Sequence, residues 1–213
     1  MSCRPDLKAL GMLQELGTAV NQAPILGHVP GVPIGKCFYS RCEVAAVGLH
    51  NHWLNGISYV ADKEAKAKFG KPGLFAVSIM VSGGYEDDQD DGTELTYTGQ
   101  GGNDLLGKRK QVGDQAWSRG NAALRNNAAW GLPVRVTRGN KDEEALYGKV
   151  FIYDGLYDVL EAKESVGVSG CVSALFVFGS PIQGQHALDQ SPPRGLSTAR
   201  WDYKAPQSVR DGT

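Results

Sequence analysis

Apolar residues recur at three- and four-residue intervals near the start of the chain, which is the spacing of one face of a helix. The pattern consists of Leu7, Leu10, Leu13, Leu16 and Val20. Asp6 stands just before it, where a side chain that caps a helix N-terminus is expected. We therefore predict an amphipathic helix over residues 5–22 that packs against a sheet.

After a loop rich in proline and glycine at residues 23–35, the apolar positions form short β-prone runs separated by glycine-containing turns. These runs are residues 36–47, 74–81, 94–98, 133–138, 149–153, 156–160 and 171–178. A second helix is expected at residues 118–129, which are rich in alanine and are followed by Gly131 and Pro133. The pattern predicts an α+β chain whose strands form a barrel or a sandwich.

Bulk composition is that of an ordinary globular protein with one domain. The chain has 213 residues, of which 41% are hydrophobic and 21% are charged, and this length is enough to bury one sizeable core. No run approaches the roughly 18 apolar residues of a membrane span, and the N-terminus lacks the pattern of a signal peptide. We therefore expect an intracellular protein without membrane contact.

Cysteine, histidine and the acidic residues give no sign of a metal centre. The four cysteines lack CxxC spacing, and the four histidines lack the HExxH pattern. The acidic run at residues 86–91 does not complete a calcium loop, because Thr98 stands where the bidentate glutamate is required. We expect reduced thiols, no structural metal and no cofactor.

The net charge argues against nucleic acid as a partner, whereas the distribution of charge allows it. The formal net charge is −1 and the pI about 6.4, while nucleic-acid-binding domains commonly have a pI above about 9. Basic residues are nevertheless grouped at residues 108–110, and Arg135, Arg138 and Lys141 follow. We expect these groups to form a local basic face.

Two tyrosines bracket a cluster of carboxylates in residues 81–102. Tyr85 and Tyr97 offer aromatic faces that replace the stacking lost by a base taken out of DNA, worth about 1–3 kcal/mol each. Asp88 offers an acceptor for the exocyclic amino group of cytosine, and Thr98 offers a further polar group. These residues suit a pocket for a flipped cytosine. A hairpin with an acidic, solvated turn is the alternative interpretation.

Two loops carry further features that suit DNA binding. Residues 102–109 match GxxxxGK, but Arg109 stands where a phosphate-binding P-loop needs a hydroxyl, so nucleotide binding is rejected. The same residues suit a flexible finger that crosses a DNA groove, or else a plain surface loop. In residues 48–57, Leu54 suits either an apolar wedge that opens the base stack or a buried corner, whereas Trp53 is expected to pack into the core.

Motifs along most of the chain, taken in order, resemble the SRA family, also named YDG, from about residue 27 to 178. They lie at residues 29–35, 48–57, 83–88, 96–102, 120–121, 133–136, 153–157 and 167–170. The sequence HNHWLNGI at residues 50–57 is similar to the plant branch, in which the domain is joined to a histone lysine methyltransferase. We divide the chain into an N-terminal helix and lead-in at residues 1–26, the SRA domain at 27–180 and an irregular C-terminal tail at 181–213.

The resemblance implies a twisted β-barrel of the PUA-like SRA type, with a few flanking helices, that grips double-stranded DNA. It also implies a pocket for a flipped 5-methylcytosine. Tyr85 and Tyr97 would sandwich this base and Asp88 would bind its amino edge. Thr98 would hold the remaining polar edge, and Gly84 would line the pocket.

The resemblance further implies two DNA-contacting loops. Leu54 and Asn55 fall at the tip of the thumb loop, which we define as residues 48–57. Lys108, Arg109 and Lys110 fall in the finger, which we define as residues 103–110. Family members that prefer hemimethylated sites carry Asn-Lys-Arg in the finger, so the Lys-Arg-Lys of this chain does not imply that preference. The Tyr-Asp-Gly triplet at residues 153–155 is expected at a turn between strands.

The function that follows is a nuclear reader of methylated DNA without catalysis, with histone or chromatin proteins as partners through further domains. One alternative is that the sequence is the SRA fragment of a larger chromatin enzyme, a histone lysine methyltransferase. Another is a base-processing enzyme, such as a glycosylase in which Asp88 activates water. The zinc deaminase signature of HxE followed by PCxxC is missing from the sequence.

Overall fold

The computed structural model describes residues 4–82, 88–90, 94–102, 111–145 and 147–181. Its helices are α1 (Pro5–Glu15), α2 (Arg41–Ala46), α3 (Asp62–Phe69) and α4 (Arg119–Trp130). Its strands are β1 (Cys37–Phe38), β2 (Ile57–Val60), β3 (Phe75–Val81), β4 (Gln89–Asp90), β5 (Leu95–Thr98), β6 (Val134–Lys141), β7 (Lys149–Val166) and β8 (Val172–Pro181). Within these residues, no helix is both long and apolar enough to cross a membrane.

All the strands belong to one mixed sheet. Its order is β2-β3-β6-β7-β8-β5-β4, and β1 pairs with β7 beside this path. The β3–β6 pair is parallel, and the other pairs are antiparallel. In the described part of the chain β2 and β4 do not pair with each other, so the sheet is not closed there. The expected barrel is therefore an open sheet with helices packed on it.

Strand β3 lies at the centre of the packing because all seven of its residues are buried. Its side chains enter three different clusters: Ile79 packs in the main core with α4 and β8, Met80 packs with Val29 and Val32 of the preceding loop, and Val77 packs beside α3. A strand buried on both faces forms a nearly continuous apolar run, here interrupted only by Ser78, and this is why the sequence predicts a strand at residues 74–81.

Helix α4 confirms the second predicted helix. It follows Ser118 and ends at Gly131, whose φ of 59° is a left-handed conformation that glycine adopts without a steric cost. Asn127 fixes the helix on the sheet, because its side chain accepts from the amide of Ala76 at 2.8 Å and donates to the Ala76 carbonyl at 2.9 Å. Asn121, near the N-terminal end of α4, binds Gln100, which follows β5.

The first helix is shorter than predicted and packs elsewhere. It ends at Glu15, and Gly17 with φ of 66° turns the chain away, so Leu16 and Val20 remain exposed. Asp6 is not the cap, since it lies in the first turn and pairs with the preceding Arg4 at 2.5 Å. Helix α1 packs on α2 and not on the sheet: the two helices share a small cluster made of Leu10, Cys42 and Ala45.

The prediction of a strand at residues 36–47 is wrong beyond β1. Ser40 begins α2 by accepting from the amide of Glu43 at 3.2 Å, and the Glu43 carboxylate accepts from the amide of Tyr39 at 2.8 Å. This is close to a capping box, and Ser-x-x-Glu is its sequence signature. The apolar residues that follow therefore belong to a helix. Helix α3 and strand β2 were not predicted either.

The two strands predicted at residues 149–153 and 156–160 form the single strand β7. Val136 pairs with Gly155 and Thr137 pairs with Tyr153, which leaves Asp154 as an extra residue opposite β6. The Tyr-Asp-Gly triplet is therefore a β-bulge and not a turn between strands. Gly155 has a φ of 114°, and Asp154 binds Arg138 and Tyr157, so the bulge is stabilised by its own side chain.

Candidate nucleic-acid interface

Strand β5 carries two of the residues expected in the base pocket. Tyr97 is 5% exposed and packs edge-on against Phe178, with ring centroids 6.3 Å apart. Thr98 is fully buried. The strand is held by β8, where Tyr97 lies opposite Phe176 and Thr98 lies opposite Leu175. Tyr97 is therefore anchored in the main core at the end of its strand.

Asp88 and Thr98 are in direct contact. The amide of Thr98 donates to Oδ1 of Asp88 at 2.9 Å, and Asp88 is half-buried. The hydroxyl of Thr98 is buried and has no hydrogen-bond partner in the described part of the chain. A buried polar atom without a partner costs free energy and usually marks a functional or hydrated position. The amide and the unpaired hydroxyl of Thr98 and the carboxylate of Asp88 thus lie at the position for which the sequence predicts the polar edge of a base pocket.

The tip of the thumb loop faces solvent. Leu54 is 63% exposed and Trp53 is 37% exposed, so the expectation that Trp53 packs into the core is wrong. Nη1 of Arg41, at the start of α2, donates to the carbonyl of Leu54 at 2.6 Å and to that of Trp53 at 3.4 Å. Because the main chain is held from behind, the side chains of Leu54 and Asn55 remain on the outside.

His50 anchors the base of the same loop. It is 1% exposed, its Nε2 lies 2.9 Å from the carbonyl of Asn55 and its Nδ1 lies 2.8 Å from Oγ of Ser78. A carbonyl only accepts, so Nε2 carries the proton and Nδ1 accepts from the serine hydroxyl. Burial lowers the pKa of His50 to about 3. The ring is therefore neutral at physiological pH and joins the thumb loop to β3.

Gly56 brings the thumb loop against the base pocket. A Cβ atom at this position would lie 2.5 Å from the hydroxyl oxygen of Tyr97, and the next atom of that ring is 3.8 Å away. Any side chain at residue 56 would therefore collide with the tyrosine hydroxyl. The loop and the pocket share one tightly packed contact.

The two segments that flank the finger are hydrogen-bonded to each other. The carbonyl of Gly102 accepts from the amides of Val112 and Gly113 at 2.7 and 3.2 Å. We call residues 99–102 and 111–115 the finger base. Asn121 of α4 holds one side of it, since its side chain accepts from the amide of Gln100 at 2.9 Å and donates to the Gln100 carbonyl at 3.0 Å.

A second carboxamide and strand β8 hold the finger base from the other side. Gln115 donates to the carbonyl of Gly99 at 2.8 Å and accepts from the amide of Ala174 at 3.1 Å. Gln111 donates to the carbonyl of Val172 at 3.0 Å. The finger base therefore extends from the end of β5 and pairs with β8, and its first residue, Gly99, directly follows Thr98.

Two of the arginines expected on a basic face lie inside the protein. Arg135 is 1% exposed and donates to the carbonyls of Leu49, Ile25 and Gly27 at 3.1, 2.6 and 2.6 Å, and burial lowers its pKa to about 10. Arg138 is half-buried and pairs with Asp154 at 2.7 Å. Only Lys141 of this group is exposed. Arg135 and Arg138 are structural, and the prediction of a basic face that includes them is wrong.

The structure describes five of the ten residues predicted to bind DNA. It brings Asp88, Tyr97 and Thr98 together, and it exposes Leu54 and Asn55 on the adjacent loop. The others lie outside the described residues; they are Gly84, Tyr85, Lys108, Arg109 and Lys110.

Sequence reasoning missed the residues that hold these elements in place. They are Arg41, His50, Gly56, Gln115 and Asn121. Local sequence gave no signal for their contacts, except that Arg41 follows a recognisable helix cap. Their partners are main-chain groups of other segments, and such groups carry no sequence signature.

Comparison with known proteins matches the chain to one domain family and to relatives of one class. The family model described as the SAD/SRA domain matches residues 25–181. The H3 lysine-9 specific histone-lysine N-methyltransferase SUVH4 of Arabidopsis thaliana is 44% identical over 167 residues, which are 78% of this chain and 27% of the relative. SUVH1 of Nicotiana tabacum is 44% identical over 79% of this chain and 23% of its own length. The chain thus spans about a quarter of these relatives.

Solved structures match over the same region. The crystal structure of KRYPTONITE in complex with mCHH DNA, an H3(1-15) peptide and SAH has a TM-score of 0.82 and 41% identity, covering 86% of this chain and 39% of that chain. The SUVH5 SRA complex with fully methylated CG DNA has a TM-score of 0.59 and 38% identity, covering 73% of this chain and 93% of that chain. These matches confirm the predicted α+β fold of the SRA type.

Proposed function

Because the chain belongs to the SAD/SRA domain family, we propose that it reads 5-methylcytosine in double-stranded DNA by flipping the modified base into a pocket. The observation that carries this proposal is the contact between Asp88 and Thr98, beside a buried hydroxyl without a partner in the described residues. A flipped base loses its paired strand, and these groups offer replacement hydrogen bonds on one side.

The chemistry of the pocket fits cytosine. The carboxylate of Asp88, which accepts from the amide of Thr98, also accepts from the exocyclic amino group, and Thr98 with the nearby backbone holds the remaining polar edge of the base. Tyr97 stacks on one face. By position in the family motif, Tyr85 stacks on the other face and Gly84 lets the backbone approach the base. Uracil and thymine present a carbonyl where cytosine has its amino group, so a carboxylate disfavours them.

The thumb loop and the finger act on the duplex around the flipped base. Leu54, exposed at the loop tip, enters the gap that the base leaves, and Asn55 contacts the neighbouring base or backbone. Lys108, Arg109 and Lys110 of the finger bind phosphates. If all three are replaced by glutamine, the slope of log affinity against log salt should become flatter by about 0.9 for each phosphate that is no longer neutralised. An unchanged slope would remove these residues from the interface.

Several relatives support this assignment. SUVH5 SRA and KRYPTONITE were solved with methylated DNA in CG, CHG and CHH contexts. KRYPTONITE also carries an H3 peptide, and SUVH4 is a histone-lysine N-methyltransferase. We therefore propose a nuclear location and that this sequence corresponds to the DNA-reading part of a chromatin enzyme of that class, with histone as a partner through other domains.

Within this chain the module binds without catalysis. Its principal rival is a base-processing enzyme, such as a glycosylase that uses Asp88 to activate water. Incubation of the protein with a duplex that contains 5-methylcytosine, followed by analysis of the nucleosides, separates the two. A reader returns the duplex unchanged, whereas a free base or an abasic site would establish catalysis.

A competition titration tests the reader function. Unmodified, hemimethylated and fully methylated duplexes of one sequence compete for the protein at fixed salt. We expect both methylated duplexes to bind more tightly than the unmodified one. Equal affinity for all three would contradict the proposal, whatever the strength of the binding.

A further inference from the structure

Arg41 lies at the junction of the thumb loop and the base pocket. It is the first residue of α2, and its Nη1 donates to the carbonyls of Leu54 and Trp53. Burial lowers the pKa of its guanidinium, and the nearby Tyr97 partly opposes this shift. One side chain thus contacts the loop tip and lies close to the residue that would stack on the flipped base.

Neither helix stability nor packing accounts for an arginine at this position. A positive charge at a helix N-terminus is unfavourable in the field of the helix. In the described part of the chain Arg41 forms no ion pair, and its Nε is buried without a hydrogen-bond partner. A half-buried cation with a buried, unpaired donor costs free energy, whereas an apolar side chain would fill the same space without that cost.

The carbonyls that Arg41 binds belong to the residues at the tip of the loop. Leu54 is 63% exposed, and an exposed apolar side chain on a free loop would turn inward or fluctuate. Two hydrogen bonds from a planar guanidinium fix the main chain on the inner side and leave Leu54 outside. At the other end of the loop, Gly56 touches the hydroxyl of Tyr97. Arg41 therefore holds the loop tip, and Gly56 joins the same loop to Tyr97.

We infer that Arg41 is a positioning residue for base flipping: it holds the thumb loop extended, so that Leu54 enters the duplex as the base enters the pocket. This inference rests on the proposed reading of 5-methylcytosine. Arg41 itself contributes through the main chain of Trp53 and Leu54 and not through a bond to DNA. Its loss should matter only when the target base must be taken out of a paired helix.

Two methylated duplexes separate this role from the alternatives. In one, 5-methylcytosine is paired with guanine; in the other, it lies opposite an abasic site, where extrusion costs less. For Arg41→Gln we expect an affinity loss of about tenfold on the paired duplex, equal to about 1.4 kcal/mol. On the abasic duplex we expect less than about threefold, because the wedge is not needed there. Lys68→Gln, which removes one positive charge from α3 at the far end of β2, should change neither affinity.

The link through the thumb loop is tested with Leu54→Ala. This variant should show the same selective loss on the paired duplex, and adding it to Arg41→Gln should cause little further loss, because both act on one event. Fully additive losses would overturn the inference. So would equal losses on both duplexes with a salt slope lower by about 0.9, since that is the behaviour of a phosphate contact.

Thermal unfolding of each variant checks that the fold is kept. If Arg41→Gln does not fold, Arg41→Lys retains the charge and one of the carbonyl contacts, and the same comparison applies to it with a smaller selective loss. No loss on either duplex for a folded variant would also overturn the inference. If the wild-type protein fails to prefer methylated DNA, it is the proposed function that fails, and the two failures are thereby distinguishable.

Discussion

The thumb loop and the finger base flank the same pocket, and they are held in different ways. Ionisable side chains hold the thumb loop: Arg41 at the tip and His50 at the base. Neutral carboxamides hold the finger base, above all Asn121 and Gln115. A carboxamide both donates and accepts, so it pairs with a whole peptide unit, whereas a guanidinium only donates and gathers carbonyls.

The hydrogen bonds on the two sides of the pocket should therefore differ in how they depend on pH. His50 fills its place only as a neutral ring, because its pKa is lowered to about 3. The free energy that His50 contributes to folding therefore falls as the pH drops below about 6.5. The carboxamides do not titrate, so the hydrogen bonds that Asn121 and Gln115 make to the finger base are kept over the same range. Variants of each loop should show this difference in the free energy of unfolding.

Asn121→Ala removes the main support of the finger base. Its side chain makes three hydrogen bonds to main-chain groups, the third of which is to the carbonyl of Ala116 at 3.0 Å. Each buried group left unpaired costs about 1–3 kcal/mol, so we expect the free energy of unfolding to fall by about 3 kcal/mol. Denaturant unfolding measures it. Asn126→Ala, on the same helix with one such bond to Leu74, should cost about 1 kcal/mol.

The effect of Asn121→Ala should be the same at pH 7.5 and pH 5, because the substitution removes no titrating group. If the loss in the free energy of unfolding caused by Asn121→Ala depends on pH, the finger base and the thumb loop do not differ in this respect.

His50→Leu removes the support of the thumb loop. At pH 7.5 the hydroxyl of Ser78 and the carbonyl of Asn55 lose their partner, and we expect a cost of about 2 kcal/mol in the free energy of unfolding. In the wild-type protein the unfolded chain binds a proton on His50 below its ordinary pKa of 6.5 and the folded chain does not until about pH 3. Stability contributed by His50 is thus complete above pH 6.5 and is lost as the pH falls, by up to about 1.4 kcal/mol for each pH unit.

The difference in the free energy of unfolding between wild type and His50→Leu should therefore become smaller as the pH falls below 6.5. Unfolding curves at several pH values measure this difference for the two proteins. Parallel profiles for wild type and His50→Leu would show that His50 is not neutral in the folded protein.

Gly56→Ala tests the contact between the thumb loop and the pocket. The new methyl group would lie 2.5 Å from the hydroxyl of Tyr97, and such overpacking costs about 1–3 kcal/mol; we expect the lower part of that range. Adding Tyr97→Phe should restore most of the stability, since the next ring atom is 3.8 Å away. At the finger base, Gly113 has no atom within 4 Å of a Cβ, so Gly113→Ala should change stability by less than about 0.5 kcal/mol.

Thermal unfolding of the single and double variants measures this rescue. If Tyr97→Phe does not relieve Gly56→Ala, the loop and the tyrosine are not in contact.

Elements with strong local signals could be predicted from the sequence. Strand β3 is apolar except for Ser78, and α4 ends at a glycine that takes a left-handed conformation. Elements decided by tertiary contacts were missed. Asp-Gly favours turns, which is why the sequence predicts a turn at Asp154, but the carboxylate of this residue binds Arg138 and Tyr157 and stabilises a bulge inside β7.

The candidate site likewise contains residues whose place could be predicted from the sequence and residues whose place could not. Asp88 stands just before β4 and Thr98 ends β5, which pairs with β4, and their contact joins residues ten positions apart. The sequence predicted both residues in one base pocket but not this contact, and the pocket stays a prediction. Arg135 has the charge of a surface cation, but its partners are carbonyls more than 80 residues away. A residue's charge predicts its chemistry, whereas its burial depends on the whole fold.

If a carboxylate in the base pocket makes this domain a reader of 5-methylcytosine, Asp88→Ala should abolish the preference for methylated DNA. The affinities for methylated and unmodified duplexes of one sequence are measured by competition at fixed salt, with Asp158→Ala as the control for an exposed carboxylate on β7. A hydrogen bond to a charged group contributes about 1.5–3 kcal/mol, so Asp88→Ala should bind methylated DNA about ten- to a hundredfold more weakly. We predict a ratio of the two affinities near one, with weak binding to both duplexes retained. A methyl preference that survives in folded Asp88→Ala would contradict the account.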